Sequence, residues 1–185
     1  MKRALNFILF LFLMMSFFAC GDDYTPEGTF SYQPEKPNQN EKIKIYFNKE
    51  GTKLEESENI DLTAYYFGKN LDKVELIPLT SEDEILTATL TPSDSALGIL
   101  LNFDDGSLVE NNNANGFFIQ LYGEDGELLP GADASLGVAY STWGSWYAEL
   151  DKDREAALNL FNKEFEKNPE VKGGFLNEYF SALKS

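Results

Sequence analysis

The sequence KIKIYF, at residues 42–47, places an apolar side chain at every second position. Ile43, Ile45 and Phe47 would point to one side of an extended chain, and the lysines and Tyr46 to the other. A repeat of two is typical of a β-strand that buries one face and leaves the other facing water. This stretch therefore predicts a strand on the surface of a β-sheet core.

Other short segments of β character lie on both sides of this strand, separated by polar turns and with no helical pattern between them. They are residues 28–32, 60–67, 73–79, 85–91, 97–103 and 117–122. Such a series predicts a mainly β fold, an antiparallel β-sandwich of immunoglobulin type over residues 41–131, although the cysteine–tryptophan–cysteine signature of true immunoglobulin domains is missing. The alternation predicts a core that includes Ile45, Phe47, Leu62, Leu90, Leu101 and Ile119.

The pattern becomes helical over residues 132–185. Either Asp151 or Asp153 can cap a helix that runs to Lys167. The apolar stripe of this helix is Ala157, Leu160, Phe161 and Phe165, and that of a last helix, residues 171–183, is Phe175, Leu176, Tyr179 and Phe180. Since a single helical hairpin cannot bury its own apolar side, we expect this segment to dock on the sandwich and to carry a partner-binding surface.

The N-terminus has the order of a lipoprotein signal peptide. Two basic residues precede an apolar stretch at residues 7–18, and Ala19 stands before Cys20. Twelve residues rise about 18 Å as a helix, which is short of a bilayer core of about 30 Å. We predict a signal peptide at residues 1–19, lipidation of Cys20 with palmitate among its acyl chains, and a proline-broken tether over residues 20–40. The alternative is an ordinary signal peptide with an unrelated cysteine.

Charge and composition narrow the function. The chain has 31 acidic and 15 basic residues, and loss of the signal peptide would leave 13 basic residues and a formal charge of −18. Such an acidic surface repels nucleic acid, so we expect no nucleic-acid partner. The chain has no histidine, and Cys20 is its only cysteine. The chain therefore has no imidazole, and with Cys20 acylated it has no free thiol. We expect neither a cofactor nor enzymatic activity.

An aromatic cluster is the best candidate contact surface. It comprises Tyr140, Trp143, Trp146 and Tyr147. Exposed aromatic rings stack on sugars or anchor protein partners, whereas buried ones would seal the joint between sandwich and helices. The oxygen-rich residues 104–106 and 110–113 suit either a turn or a calcium site. We predict a turn and no metal, because EF-hand spacing is missing.

Two resemblances extend these predictions. The helical segment resembles one tetratricopeptide unit at Leu136, Gly137, Tyr140, Ala157, Phe161 and Pro169. The order of parts is similar to that of lipoproteins from one Gram-negative phylum, in which a lipid-anchored immunoglobulin-like domain leads into helical repeats and often a thioredoxin-like domain. The similar stretches are residues 30–37, 42–54, 90–106, 116–126 and 153–169.

The second resemblance implies that this chain is the accessory, partner-facing part of such a thioredoxin-associated lipoprotein. It carries over no disulfide reductase activity, because the chain has no Cys-x-x-Cys. Gly21, Asp22 and Asp23 resemble the export signal of these lipoproteins. They imply an outer-membrane location, on either the periplasmic face or the cell surface.

Three functional hypotheses remain open. The first is a non-catalytic, lipid-anchored module that binds another envelope protein. The second is a glycan-binding surface lipoprotein, which exposure of both tryptophans on a flat face would favour. The third is an enzyme that relies on carboxylates, which a cleft with two close, buried acids would support.

Overall fold

The structure is a computed structural model that describes residues 24–82 and 84–184. Within these residues it contains nine strands and four α-helices. The strands are β1 (Phe30–Gln33), β2 (Ile43–Asn48), β3 (Asp61–Phe67), β4 (Leu71–Ile77), β5 (Thr80–Glu82), β6 (Ile85–Leu90), β7 (Gly98–Asp104), β8 (Val109–Glu110) and β9 (Phe117–Gln120). The helices are α1 (Ala132–Ser141), α2 (Gly144–Tyr147), α3 (Arg154–Lys167) and α4 (Lys172–Lys184), with a 3₁₀ turn at Pro169–Val171.

The strands form two antiparallel sheets in the described part of the chain. The first has the order β1-β2-β6-β5. The second has the order β4-β3-β7, and the far edge of β7 pairs with β9 along residues 98–101 and with β8 at residues 103–104. A mainly β chain with two sheets and C-terminal helices is what the alternation predicts.

The two sheets enclose one apolar core. All the core positions predicted from the alternation are buried, namely Ile45, Phe47, Leu62, Leu90, Leu101 and Ile119. The rings of Phe47 and Phe103 stack at 3.9 Å between centroids and join the two sheets. Burial of each such side chain contributes about 1.5–3 kcal/mol to folding.

Two strands were not predicted, and both are very short. β5 has three residues and β8 has two, so neither contains enough positions to show an alternation. The fourth predicted segment, residues 73–79, begins two residues late relative to β4, which starts at Leu71. β4 is an edge strand with Val74 and Leu76 exposed, so its burial pattern gives little indication of its bounds.

The helices pack on the outer face of the second sheet. Tyr65 and Phe67 of β3 and Leu100 of β7 form a second apolar cluster with Val138 of α1 and Phe161 of α3. The fold therefore has three layers, the first sheet, the second sheet and the helices. The expected docking of the helical segment on the sandwich is present in this structure.

Helix α1 and helix α3 lie very close together. A Cβ atom added to Gly137 of α1 would be 3.0 Å from the carbonyl oxygen of Ala157 in α3, so only glycine fits here without a shift. Of the two predicted caps for α3, the structure selects Asp153, whose Oδ1 accepts a hydrogen bond from the amide of Ala156 at 2.9 Å. The helix ends at Lys167, as predicted.

The predictions for the N-terminus mostly lie outside the described residues. The signal peptide, Cys20 and residues 21–23 are not among the residues that the structure describes. Within the stretch predicted as a tether, β1 pairs with β2 at the edge of the first sheet. Among the residues that the structure describes, no helix has the length and apolarity needed to span a bilayer.

Candidate functional site

A pocket of about 320 Å³ lies where the helical layer meets the open part of the second sheet. It is lined by Tyr65, Asn102, Asp104, Gly106, Ser107, Val109, Tyr147 and Glu149. We call it the β7–α2 pocket, because β7 supplies one wall and the end of α2 the other.

The register of the strands builds the sheet wall. Leu101 and Phe103 of β7 point into the sandwich core, so Asn102 and Asp104 point to the opposite face. Asn102 pairs in register with Thr63 of β3. Tyr65, two residues further along β3, lies on the same face of the sheet. The sheet thus aligns an amide, a carboxylate and a phenol along one surface.

The helical wall is held in place by two buried asparagines. The side-chain amide of Asn102 donates to the carbonyl oxygen of Ala148 at 3.0 Å, and that of Asn111 donates to the carbonyl oxygen of Glu149, also at 3.0 Å. Glu149 itself has φ 54°, a left-handed conformation that a non-glycine residue adopts at a cost. These hydrogen bonds hold in place the backbone that carries the side chains of Tyr147 and Glu149.

The neighbouring loop, residues 112–114, also has a left-handed backbone conformation at non-glycine residues. Asn112, Asn113 and Ala114 all have positive φ, between 53° and 64°. The carbonyl oxygen of Ala114 accepts a hydrogen bond from the amide of Asp151 at 3.0 Å, which ties this loop to the helical wall. Strained backbone that is held by surrounding contacts is common at binding sites.

The pocket is rich in hydrogen-bond acceptors. Oδ1 of Asn102 is buried and has no hydrogen-bond partner among the described residues. Asp104 and Glu149 make no ion pair within the described part of the chain, and no lysine or arginine lines the pocket there. The pKa of Tyr65 is raised by burial first, and then by the negative charges of Asp104 and Glu149. Both carboxylates therefore act on the same phenol.

The predicted aromatic cluster divides into two pairs. Trp143 is only 6% exposed and packs between Tyr65 and Phe67, so it belongs to the core below the pocket. Tyr140 is half-buried, and its hydroxyl donates to the carbonyl oxygen of Asn115 at 3.0 Å. These two residues support the surface from within.

Trp146 and Tyr147 form the exposed pair. They are 74% and 58% exposed, and Tyr147 lines the pocket directly. The ammonium group of Lys152 lies 5.6 Å from the centre of the Trp146 ring, a cation–π contact. Of the predicted contact residues, these two are the ones that a partner or a sugar could reach.

Of the sheet wall, the sequence singled out only Asp104, as part of the oxygen-rich residues 104–106, and it did not indicate Asn102 or Tyr65. Asn102 interrupts the otherwise apolar residues 98–103 of β7 with a polar side chain, which is the signal that could have identified it. Tyr65 and Glu149 carry no comparable signal, because only the fold brings β3 next to the end of α2.

The oxygen-rich loop forms a turn. Oδ1 of Asp105 accepts hydrogen bonds from the amides of Ser107 and Leu108, and Oδ2 accepts one from the Ser57 hydroxyl at 2.6 Å. The carboxylate of Glu110 accepts from the amide of Asn112 at 3.0 Å. Within the described residues, no group of three or more acidic or cysteine side chains is arranged to hold a metal ion.

A larger cavity, about 650 Å³, lies at one end of the sandwich, and five of its thirteen lining residues are glutamates. Its cation, Lys49, lies 3.5 Å from the Glu84 carboxylate and donates to the carbonyl oxygen of Glu55 at 2.9 Å. Because these groups already pair within the chain, this cavity is a weaker candidate than the β7–α2 pocket.

Comparison with known proteins adds no identification. No protein-family model matches the chain, and a search of curated proteins finds no matching sequence. The function of the protein is therefore inferred from the geometry of the site and from the features of its sequence.

Proposed function

We propose that this protein is a lipid-anchored lipoprotein of the cell envelope whose folded part is a non-catalytic protein-interaction module. The observation that carries the proposal is the exposure of two large aromatic side chains, Trp146 and Tyr147, on the short helix α2. Large aromatic side chains of this kind are the usual anchors of protein interfaces.

The support beneath these two rings strengthens the proposal. A Cβ atom added to Gly144 would lie 2.6 Å from the carbonyl oxygen of Ala139, so α2 sits directly against the end of α1. Trp143 and Ala148, on either side of α2, are both buried. A rigid platform reduces the entropy that binding must overcome, because the anchors are already in place.

The arrangement of the strands supports an immunoglobulin-like classification. Lettered in chain order, with β4 as an inserted C′ strand and β8 as a short addition, the first sheet has the order A-B-E-D. The second has C′-C-F-G, with β9 as the G strand. Immunoglobulin-type sandwiches pair their strands as A-B-E-D and C-F-G. The close crossing of α1 and α3 at Gly137 likewise supports a tetratricopeptide-like hairpin.

The location rests on the N-terminal sequence. We place the protein at the outer membrane, anchored by lipid on Cys20, at the periplasmic face or the cell surface. Cys20→Ser in a native-like host should move the protein from the membrane fraction to the soluble fraction. Unchanged membrane association, or a mature N-terminus elsewhere by mass spectrometry, would contradict the lipid anchor without affecting the interaction proposal.

The non-catalytic assignment is supported by the side chains available. Catalysis by carboxylates commonly uses two close acids, at least one of them with a pKa raised by burial. In the β7–α2 pocket, Asp104 is half-buried and Glu149 is exposed. The chain has no histidine to act with them.

Glycan binding is the second candidate. An exposed ring beside carboxylates, here Tyr147 beside Asp104 and Glu149, is also suited to stacking and hydrogen bonding with a sugar. Burial of Trp143 removes one of the two tryptophans that a flat sugar platform would use. We therefore rank protein binding first.

The test uses a photo-reactive amino acid placed in the full-length lipoprotein in its native host. Position 146 should give a discrete cross-linked protein partner. The same substitution at position 89, where Thr89 is exposed on β6 of the first sheet, is the matched control and should give none. Identical products from both positions, or cross-links to polysaccharide, would contradict protein binding at this surface.

A further inference from the structure

We infer that β4 pairs antiparallel with β4 of a second copy of this chain, across a two-fold axis at Val74. The second sheets of the two copies then form one continuous sheet. This contact uses residues other than Trp146 and Tyr147, and it goes beyond the proposed binding of another envelope protein. The free edge of β4, its exposed valine and its pattern of charges support it.

One edge of β4 has backbone groups without a strand partner in the described part of the chain. β4 ends the second sheet and pairs with β3 on its inner side. The carbonyl oxygen of Phe67 accepts a hydrogen bond from the amide of Leu97, directly before β7, so Phe67 and every second residue before it in β3 face β7. The residues between them face β4, among them Ala64, which pairs with the residue between Val74 and Leu76. The peptide groups of Val74 and Leu76 therefore point away from the sheet, as a template for another strand.

The side chain at the centre of this edge is apolar and exposed. Val74 is 50% exposed. It lies opposite Tyr65 in register, and hence on the outer face of the second sheet. In a pair centred on Val74, the valines of the two copies lie directly opposite each other, at about 5.5 Å between Cα atoms. Each valine then covers apolar surface of the other that is open to water in a single copy.

The charges of β4 select this pairing over others. Lys73 and Glu75 flank Val74, and their charged groups lie 2.6 Å apart within one chain. A pair centred on Val74 places Lys73 of each copy opposite Glu75 of the other, so each charge gains a second opposite charge. An axis at Lys73 or at Glu75 would instead place like charges directly opposite each other. An axis at Leu76 would place Val74 opposite Pro78, which has no amide.

The strand is thus complementary to itself, which makes a second copy a matched partner for it. A lysine on an edge strand ordinarily hinders pairing with other chains. In this pair the glutamate of the second copy compensates the lysine. The two-fold axis also closes the assembly, because each copy contributes its β4 edge and leaves no free β4 edge for a third copy.

The first test uses the full-length, lipid-modified protein in its native host, with one cysteine added in β4. Val74→Cys should give a disulfide-linked dimer under mild oxidation, because a Cα separation of about 5.5 Å suits a disulfide. Leu76→Cys is the matched control on the same strand, at a more exposed position. Its two thiols would lie four residues apart along the strands, about 14 Å, and should give no dimer. The chain without an added cysteine is the blank for Cys20.

The second test exchanges the charges, and sedimentation of the full-length protein in detergent micelles measures dimerisation. Lys73→Glu alone and Glu75→Lys alone should each weaken dimerisation about tenfold, because like charges then face each other at two positions. A mixture of the two variants should restore it, since each charge again faces an opposite one. Both variants lose the ion pair within the chain, so recovery on mixing reports the contact between copies.

No dimer from Val74→Cys, equal dimers from positions 74 and 76, or a disulfide from position 74 to a different protein would overturn the inference. Dimerisation that the mixture does not restore would do the same. The cross-linking at position 146 tests the proposed function separately, so either proposal can fail without the other.

Discussion

Glu164 of α3 closes the N-terminus of α1 by accepting a hydrogen bond from the amide of Gly131 at 2.8 Å. Its second carboxylate oxygen accepts from the amide of Asp133 at 3.0 Å. The first turn of a helix leaves amides without partners, and α1 has no side-chain cap of its own. Gly131 has φ 94°, a conformation that glycine adopts readily. A residue 33 positions away thus performs the capping.

Glu164→Gln should destabilise the protein. Glutamine keeps one acceptor oxygen but turns an NH₂ group towards one of the two amides, and the site is only 2% exposed. We expect a loss of about 2–3 kcal/mol in the free energy of unfolding, measured by chemical denaturation. Glu166→Gln, on the exposed side of the same helix, should change it by about 0.5 kcal/mol or less. Equal effects of the two variants would contradict the capping role.

Leu101→Ala should remove a central part of the sandwich core. Leu101 is fully buried between the sheets, so truncation leaves a cavity and should cost about 2–5 kcal/mol. Leu76→Ala, at an exposed leucine on edge strand β4, is the control and should cost about 0.5 kcal/mol or less. Thermal and denaturant unfolding both measure the difference. A loss of a few tenths of a kcal/mol for Leu101→Ala would argue against this core.

Two glycines should respond in opposite directions. Gly137→Leu would place a side chain against the backbone of α3, where a Cβ atom already meets the Ala157 oxygen at 3.0 Å. We expect a loss of about 1–3 kcal/mol from overpacking. Gly174→Ala on α4 meets no atom within 4 Å and should stabilise the protein by about 0.5–1 kcal/mol. Unfolding free energies of the two variants provide the measurement. Tolerance of leucine at position 137 would show that the helices can separate.

The turn at Asp105 should depend on pH. The Ser57 hydroxyl, and then the amides of Leu108 and Ser107, lower the pKa of the Asp105 carboxyl below its usual range. The stabilisation by this carboxylate is therefore present above the ordinary aspartate value of about 3.9. It is lost as the pH falls through the lowered pKa.

NMR titration of the side-chain carboxyl carbons measures this directly. Asp105 should titrate at a lower pH than an ordinary exposed aspartate, and Ser57→Ala should raise its midpoint. A midpoint that does not move in Ser57→Ala would show that the hydroxyl is not the main cause.

The sandwich could be predicted from the sequence because its signal is local. In β2 and β6, alternate residues such as Ile45 and Leu86 reach the core, and this repeat is visible without knowing the partner strands. The cap of α3 is equally local, because Asp153 lies three residues before the amide that it caps. Such features need no information about distant parts of the chain.

The site could be predicted only in part, because it depends on contacts between distant residues. The aromatic cluster identified Trp146 and Tyr147, but its composition could not separate them from buried Trp143. That separation arises when α2 packs on the second sheet. Asn102 meets Ala148 across 46 positions of sequence, and no spacing rule connects such residues. The roles of Tyr65 and Asn102 in the sheet wall of the pocket therefore became visible only in the structure.

Strand β7 has no face left for water over much of its length. Leu101 belongs to the interior between the sheets, while the adjacent Leu100 belongs to the interior beneath the helices. Because one peptide bond joins Leu100 to Leu101, unfolding that begins in either apolar cluster also disrupts the packing of the other. Heating should melt the strands and the helices in a single cooperative transition, with equal midpoints by far-ultraviolet circular dichroism and by tryptophan fluorescence. The strands before residue 131 and the helices after it then form one folding unit.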